Sequence, residues 1–341
     1  LNSIRLNRLL NLDLIRAFAI ILVLYYHVTQ MLIGNLFTNR TLFYFGHHGV
    51  TIFFVLSGFL IGGIYYKKEH IKASKFWLSR FLRTYPPYLV MLFVSWVSVY
   101  IVRKESFDFG FLFLIQNFYK EIPYFLVSWS LAVEEHFYLL FALFILGVKH
   151  RKTQFYFWIL LSILPILFRI IFYDDVGEFG FYKTASFLHI DSLATGVVIA
   201  YLVHIKKIAF KTKPWHIFIS FFGMITIFYI ISKYENIYTW SLGRTLANIS
   251  IGCWLLFSYY YKTIKLAKSS FVKQTAIMAY SLYLVHPLVI HFSVMVFKKF
   301  SISSIYIQYS ATLALIYMIS YPFYILVEKR SIQIRDRLLR N

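Results

Sequence analysis

Apolar residues in this chain run in ten long stretches, at 11–33, 42–66, 85–102, 125–148, 154–173, 184–205, 214–232, 243–261, 274–297 and 305–327. Each is long enough to cross about 30 Å of hydrocarbon as a helix. A bilayer core offers the backbone no hydrogen-bond partner, so runs of this kind are satisfied as helices. The pattern predicts an all-α integral membrane protein with about ten transmembrane helices. The third stretch carries Ser95 and Ser98, and the fifth and seventh are the weakest. No connecting segment exceeds about 25 residues, and neither a repeat nor a low-complexity tract is visible. Residues 1–341 therefore read as a single transmembrane domain without a separate soluble one.

Composition agrees: 60% of the 341 residues are hydrophobic and 14% charged, with mean hydropathy +0.66, far from a soluble domain's balance. The first apolar run is long and lacks a small-residue cleavage site, so no cleavable signal peptide is read. The sequence starts at Leu1 rather than Met, which leaves room for a few preceding residues. The lone Cys253 excludes a disulfide framework or a Cys-based zinc site within one chain, and in its apolar run it reads as inert packing.

The net charge of +21 would suggest nucleic acid in a soluble protein. Its distribution gives a simpler account. The N-terminus, every second connection and the C-terminus hold 24 of the 35 Lys and Arg; the remaining connections hold nine, and Arg16 and Arg169 lie inside spans. By the positive-inside rule the richer side, with both termini, is cytoplasmic. The charge is mostly topology, and no nucleic-acid partner is expected. The expected location is a membrane, multi-pass, of the bacterial inner (plasma) type.

Some polar residues lie inside the spans, where they are costly and mark function. Arg16 and His27 are eleven residues apart. That spacing gives about 16 Å of helical rise and lies about 20° off three whole turns, so both share one face. Asp13, three residues before Arg16, is within pairing reach. The stripe suggests a polar path with a titratable group along it. Further on, Gly58 and Gly62 form a small-xxx-small pattern suited to close helix packing. His47 and His48, at the outer end of the second span, read either as solvated interfacial residues or as substrate contacts. Before the third span, a cytoplasmic loop ends in Arg80-Phe-Leu-Arg83-Thr-Tyr85-Pro-Pro87. Its arginines read as an anchor belt or as a fork for one anion such as phosphate, and Pro86 and Pro87 would fix the start of the next span. Glu134 and Glu135 sit well inside an apolar segment, as a structural ion pair or as catalytic groups, with Arg16, Arg169 or a histidine as candidate partners. His189 and Asp191 fall in the sixth span; in the ninth, His286 reads as packing or chemistry, and Pro287 as a local kink or stop.

Five of these segments, in order, carry a resemblance: Arg16-x10-His27; Gly49-Val-Thr-Ile-Phe-Phe-Val-Leu-Ser-Gly-Phe-Leu60; Arg80-x-x-Arg83; Trp129-Ser-Leu-Ala-Val-Glu-Glu-His-Phe-Tyr138; and Tyr280-Ser-Leu-Tyr-Leu-Val-His286. Together they resemble the acyltransferase-3 family of integral membrane acyltransferases, which includes O-antigen and other surface-glycan O-acetyltransferases. The resemblance covers nearly the whole chain. It implies ten membrane helices, a cytoplasmic acyl-CoA donor (acetyl-CoA first) and transfer of a small acyl group to a carbohydrate hydroxyl, on a glycan or its lipid-linked precursor. No metal is implied. His27 matches the family's essential histidine and Arg16 its paired arginine; Arg80 and Arg83 match its arginine pair, and Glu134 and Glu135 its acidic pair. Thr51 stands where an acidic residue is common and His136 where Gln is common. The extracytoplasmic hydrolase-like domain of many relatives is not expected within these residues.

The expected catalytic set is His27, Arg16, Glu134 and Glu135. Arg80, Arg83 and Tyr85 are expected to bind the donor, and His48, Trp129 and His286 the acceptor. Acyl-CoA, a carbohydrate or lipid-linked glycan and membrane lipids are the expected partners. In this scheme His27 deprotonates the sugar hydroxyl or first takes the acyl group itself, and Arg16 stabilises the oxyanion or positions the donor. The rivals are a transporter of an acyl, lipid or glycan group without catalysis, and a lipid-directed acyltransferase. The absence of any His-x4-Asp speaks against the glycerolipid type of the latter.

Overall fold

The computed structural model describes residues 10–32, 46–67, 71–119, 121–173, 181–234 and 236–339. These residues contain no strand, and the ten apolar stretches become ten helices. They are α1 (Leu10–Leu32), α2 (His48–Lys67), α3 (Ala73–Arg103), α4 (Ser128–Gly147), α5 (Arg151–Ile171), α6 (Ile190–His204), α7 (Pro214–Lys233), α8 (Arg244–Tyr260), α9 (Ser270–Lys299) and α10 (Ile305–Phe323). A last helix, α11 (Lys329–Leu338), continues from α10 through a π turn, Tyr324–Glu328. The expected start of the second span at 42, and the termini assigned to the cytoplasm, lie outside the described residues.

Eight helical segments are long and apolar enough to cross a membrane, α10 and α11 counting as one. The expectation that every stretch is long enough needs correction for α6 and α8, which have 15 and 17 residues. Position explains this. No residue of α6 is exposed, because α2, α5 and α8 enclose it. Its flanking turn at Ser186–Leu188 is thus covered by protein, where non-helical backbone is tolerated at depth. A π turn, Thr239–Gly243, extends α8 at its start.

The closest helix pair is α2 against α6. A methyl group on Gly58 would stand 1.9 Å from the Leu193 carbonyl oxygen, and one on Gly196 2.1 Å from that of Val55. Neither position has room for any side chain, so the backbones meet directly, as small residues permit in membranes. The outer faces of α5, α7 and α10 instead expose large apolar side chains such as Leu160, Phe218 and Met318. A surface of this kind is stable against lipid and not against water. Cys253 is also exposed, on α8, rather than packed inside as expected.

α3 departs furthest from expectation. It begins at Ala73, twelve residues before 85, and runs through Pro86 and Pro87. The stretch read as a loop is therefore helix, and the prolines lie within it rather than at its start. The Tyr280 hydroxyl of α9 donates to the Thr84 carbonyl at 2.7 Å, tying α9 to this part of α3, and Thr84 Oγ1 lies 3.1 Å from the Arg80 carbonyl oxygen. Membrane helices tolerate proline where neighbouring helices pack closely around it. Arg80 and Arg83 consequently face the bundle on a rigid helix. α9 likewise continues past Pro287, so of the expected kink or stop the stop is not found.

Candidate active site

The cavity that matters lies between α1, α2, α3, α4, α9 and the π turn. It holds about 140 Å³ of space open to water-sized molecules, where one water needs about 10–15 Å³. Along α2 it extends from Leu60 to Val50, ten residues or about 15 Å of helix. Arg16, Arg80, Arg83, Glu134 and Glu328 line it together with the hydroxyls of Ser57, Thr84, Tyr138 and Tyr280. Phe53, Phe54 and Leu131 make its walls apolar. The residues thus combine a cluster of cations with a greasy passage.

Each polar group is held by an identifiable neighbour. Arg16 Nη1 is 3.1 Å from Asp13 Oδ1, one turn back on α1. The Tyr138 hydroxyl donates to Glu134 Oε2 at 3.1 Å and lies 3.0 Å from Ser57 Oγ. Ser281 Oγ donates to Glu328 Oε2 at 2.5 Å. Arg80 Nε is buried without a hydrogen-bond partner.

The two adjacent carboxylates diverge. Glu134 lines the cavity, whereas Glu135 accepts from the Thr84 hydroxyl between α4 and α3. Arg169, one expected partner for them, is engaged elsewhere. Its Nη2 is 2.8 Å from Asp191 Oδ1, and its Nε donates to the Leu188 carbonyl at 2.9 Å. Asn248 Nδ2 donates to the other Asp191 oxygen at 2.8 Å.

His27 lies beyond the cavity, about 16 Å along α1 from Arg16. Its ring centroid is 4.9 Å from that of His286 on α9. Tyr283, which lines the cavity, packs against His286 at 5.7 Å. The Tyr283 hydroxyl donates to the Val127 carbonyl at 3.0 Å and lies 2.7 Å from Ser130 Oγ. Tyr283 therefore stands at the wall between the cavity and the histidine pair.

The remaining candidates lie apart. His48 is buried, not solvated, and stacks on Phe228 at 4.1 Å. Trp129, which is not among the cavity-lining residues, packs on His189 at 4.9 Å and on the cavity-lining Phe54 at 6.2 Å between ring centroids. The Tyr85 hydroxyl donates to the Leu112 carbonyl at 2.7 Å, and its ring stacks on Phe81 outside the cavity. Glu328, Ser281, Ser57 and Tyr138 were not expected as site residues. Glu328 falls one residue past the last apolar stretch; a carboxylate there was the available signal, in a count confined to Lys and Arg. Among the described residues no three His, Cys, Asp or Glu side chains are grouped to hold a metal ion. The arginines are the groups suited to an anionic ligand.

Fold and site define a multi-pass helical membrane protein with an arginine- and carboxylate-lined cavity. The chain belongs to the acyltransferase-3 family, whose model, described as an acyltransferase domain, matches residues 9–329. It is 26% identical over 260 residues to a protein of Staphylococcus aureus strain COL named, provisionally, as the O-acetyltransferase SACOL0978; the match takes in 66% of this chain and 41% of that protein. It is 26% identical over 219 residues to the O-acetyltransferase OatA of S. aureus strain NCTC 8325, covering 56% of this chain and 34% of OatA. The chain thus matches about two fifths or less of the length of these relatives. No solved structure matches it.

Proposed function

We propose that this chain moves an acetyl or other small acyl group from cytoplasmic acyl-CoA to a hydroxyl of a cell-surface carbohydrate or its lipid-linked precursor, at a bacterial inner membrane. Support comes from the family, the O-acetyltransferase relatives and, above all, the cavity that joins the arginines to Tyr283 beside the histidine pair. Arg80 and Arg83 neutralise donor phosphates. The thioester arm follows the apolar wall toward Tyr283. His27 acts as base on the acceptor hydroxyl. Arg16 positions the donor, and Glu134 and Glu135 hold Tyr138 and Thr84 around it. His48, Trp129 and His286 lie on the side assigned to the acceptor.

Radiolabelled acetyl-CoA, supplied to the purified protein in liposomes with a surface-glycan preparation, tests this. Alkali-labile acetate on the glycan is expected, falling about 100-fold or more in His27→Ala. Label that crosses the membrane with no covalent product would make the protein a transporter. Full transfer by His27→Ala would remove that residue from the chemistry.

A further inference from the structure

The last helix lies beside the donor cavity rather than clear of the bundle. Glu328, which lines the cavity, is followed directly by α11, and α11 packs along α3, the helix that carries Arg80 and Arg83. Four basic residues lie on α11, and they are not equivalent. Lys329, Arg330 and Arg337 are exposed, whereas Arg335 is half-buried, its side chain only 19% accessible. Helical spacing explains the difference. Arg335 falls four residues after the buried Ser331, so it shares the face that packs inward.

That face brings a third guanidinium toward the pair on α3. Arg80 experiences the repulsion of both Arg83 and Arg335. Glu134 lies within electrostatic range of Arg80, and Glu328 within that of Arg83. Arg335 has instead the carboxylate of its chain neighbour Asp336: Nε is 2.9 Å and Nη2 2.6 Å from Oδ1. Asp336 is 51% exposed, and an ion pair so open to water is weak. Like charges gathered from two helices repel one another, and an anionic ligand turns their gathering into attraction.

The size of the cavity decides which part of an acyl-CoA meets these groups. About 140 Å³ holds roughly ten water molecules, room for a slender thioester arm and not for a phosphorylated nucleotide. In the proposed reaction the nucleotide therefore stays outside, beyond Arg80 and Arg83. Acyl-CoA presents its phosphates in a fixed order: a diphosphate that continues the arm, then a 3′-phosphate on the ribose, beyond the diphosphate from the thioester. We infer that Arg335 binds the 3′-phosphate of the donor, so that α11 makes the protein selective for acyl-CoA over acyl carriers that lack this group. The inference rests on the acyl-CoA reading above. Arg80 and Arg83 hold the diphosphate, and the fork of Arg335 exchanges its exposed carboxylate for a phosphate of higher charge.

Binding of CoA and of 3′-dephospho-CoA to the purified full chain in lipid nanodiscs tests this without requiring turnover. The unaltered protein is expected to bind CoA about 10- to 100-fold more tightly than 3′-dephospho-CoA, the range of one charge-assisted hydrogen-bonded contact. Arg335→Gln is expected to lose that preference by weakening CoA alone. Arg337→Gln, on an exposed face of the same helix, removes the same charge and should bind both ligands as the unaltered protein does. Asp336→Asn frees Arg335 of its competing carboxylate and should tighten CoA severalfold, an outcome that a misfolded helix does not give. Equal affinities of the unaltered protein for the two ligands, a preference retained by Arg335→Gln, or equal weakening of both ligands by that variant would overturn the inference and leave the donor reading intact. Failure of the unaltered protein to bind either ligand sinks the acyl-CoA reading and the inference with it.

Discussion

Two groups of charges are buried in this bundle, and they are built differently. Arg169 and Asp191 are 1% and 0% exposed, and protein donors and acceptors surround them: the Leu188 carbonyl, Thr245 and Asn248. In the second group Arg16 is 26% exposed, and Arg80, Arg83, Glu134 and Glu328 face a cavity. The first is closed on itself, as a buried pair must be if its attraction is to offset the loss of hydration. The second borders open space, and one of its donors, Arg80 Nε, is buried without a hydrogen-bond partner. The contrast separates structure from site. Intramembrane charge alone marks either; charge left partly unmatched beside a cavity marks the place where a ligand completes the set.

The largest effect is expected from breaking the closed group. Asp191→Ala leaves the Arg169 guanidinium buried without its counter-charge, a change that costs about 3–5 kcal/mol. The fraction that survives detergent extraction and the thermal midpoint should both fall sharply. Donor binding by the surviving folded fraction should be normal. The double variant Arg169→Met with Asp191→Leu removes both charges and should recover most of the loss. Recovery that fails completely would show that Arg169 does more than close the pair.

The open group should respond the other way. Arg80→Gln or Arg83→Gln removes a cation whose partner, in the proposed reaction, is the donor's phosphate. A charge-assisted hydrogen bond contributes about 1.5–3 kcal/mol, so KM for acetyl-CoA should rise roughly 10- to 100-fold. The thermal midpoint should hardly move, because the cavity has room for water to replace what is lost. An unchanged KM in both variants would return these arginines to the role of membrane anchors.

How far the sequence disclosed this contrast depended on the scale of each feature. The ten apolar runs are long and strongly patterned, and all ten formed helices. The Arg16–His27 stripe needed only helical periodicity. Local reading failed where a distant helix decides. Arg80 and Arg83 looked like loop residues because two prolines follow them, and the helix that meets them there does so through Tyr280, 196 residues from Thr84. Glu134 and Glu135 are neighbours in sequence, yet successive residues of a helix point about 100° apart, so only one reaches the cavity. Arg169 and Asp191 pair across two helices that no spacing rule links. Glu328 is turned inward by a π turn, and such insertions often occur at functional sites.

The smallest effects give the finest test, because one hydroxyl or one amide can be deleted on each side of the comparison. Tyr138→Phe keeps the ring and removes the hydroxyl between Ser57 and Glu134. Asn248→Ala removes the amide that donates to Asp191. Both delete one hydrogen bond to a carboxylate. In the closed group nothing replaces it, and the unmatched oxygen of Asp191 should lower stability by about 1–3 kcal/mol. In the open group the cavity has room for water beside Glu134, and the stability change should stay below about 1 kcal/mol. Tyr138→Phe should instead lower turnover severalfold, because Glu134 loses the contact that fixes its orientation beside the donor. Thermal unfolding and acetyl-CoA turnover measured on the same preparations separate the two. Equal destabilisation by both substitutions would mean that the cavity is dry and its charges are as structural as Arg169 and Asp191. A loss confined to turnover in one and to stability in the other would establish that the two groups, alike in composition, perform different work.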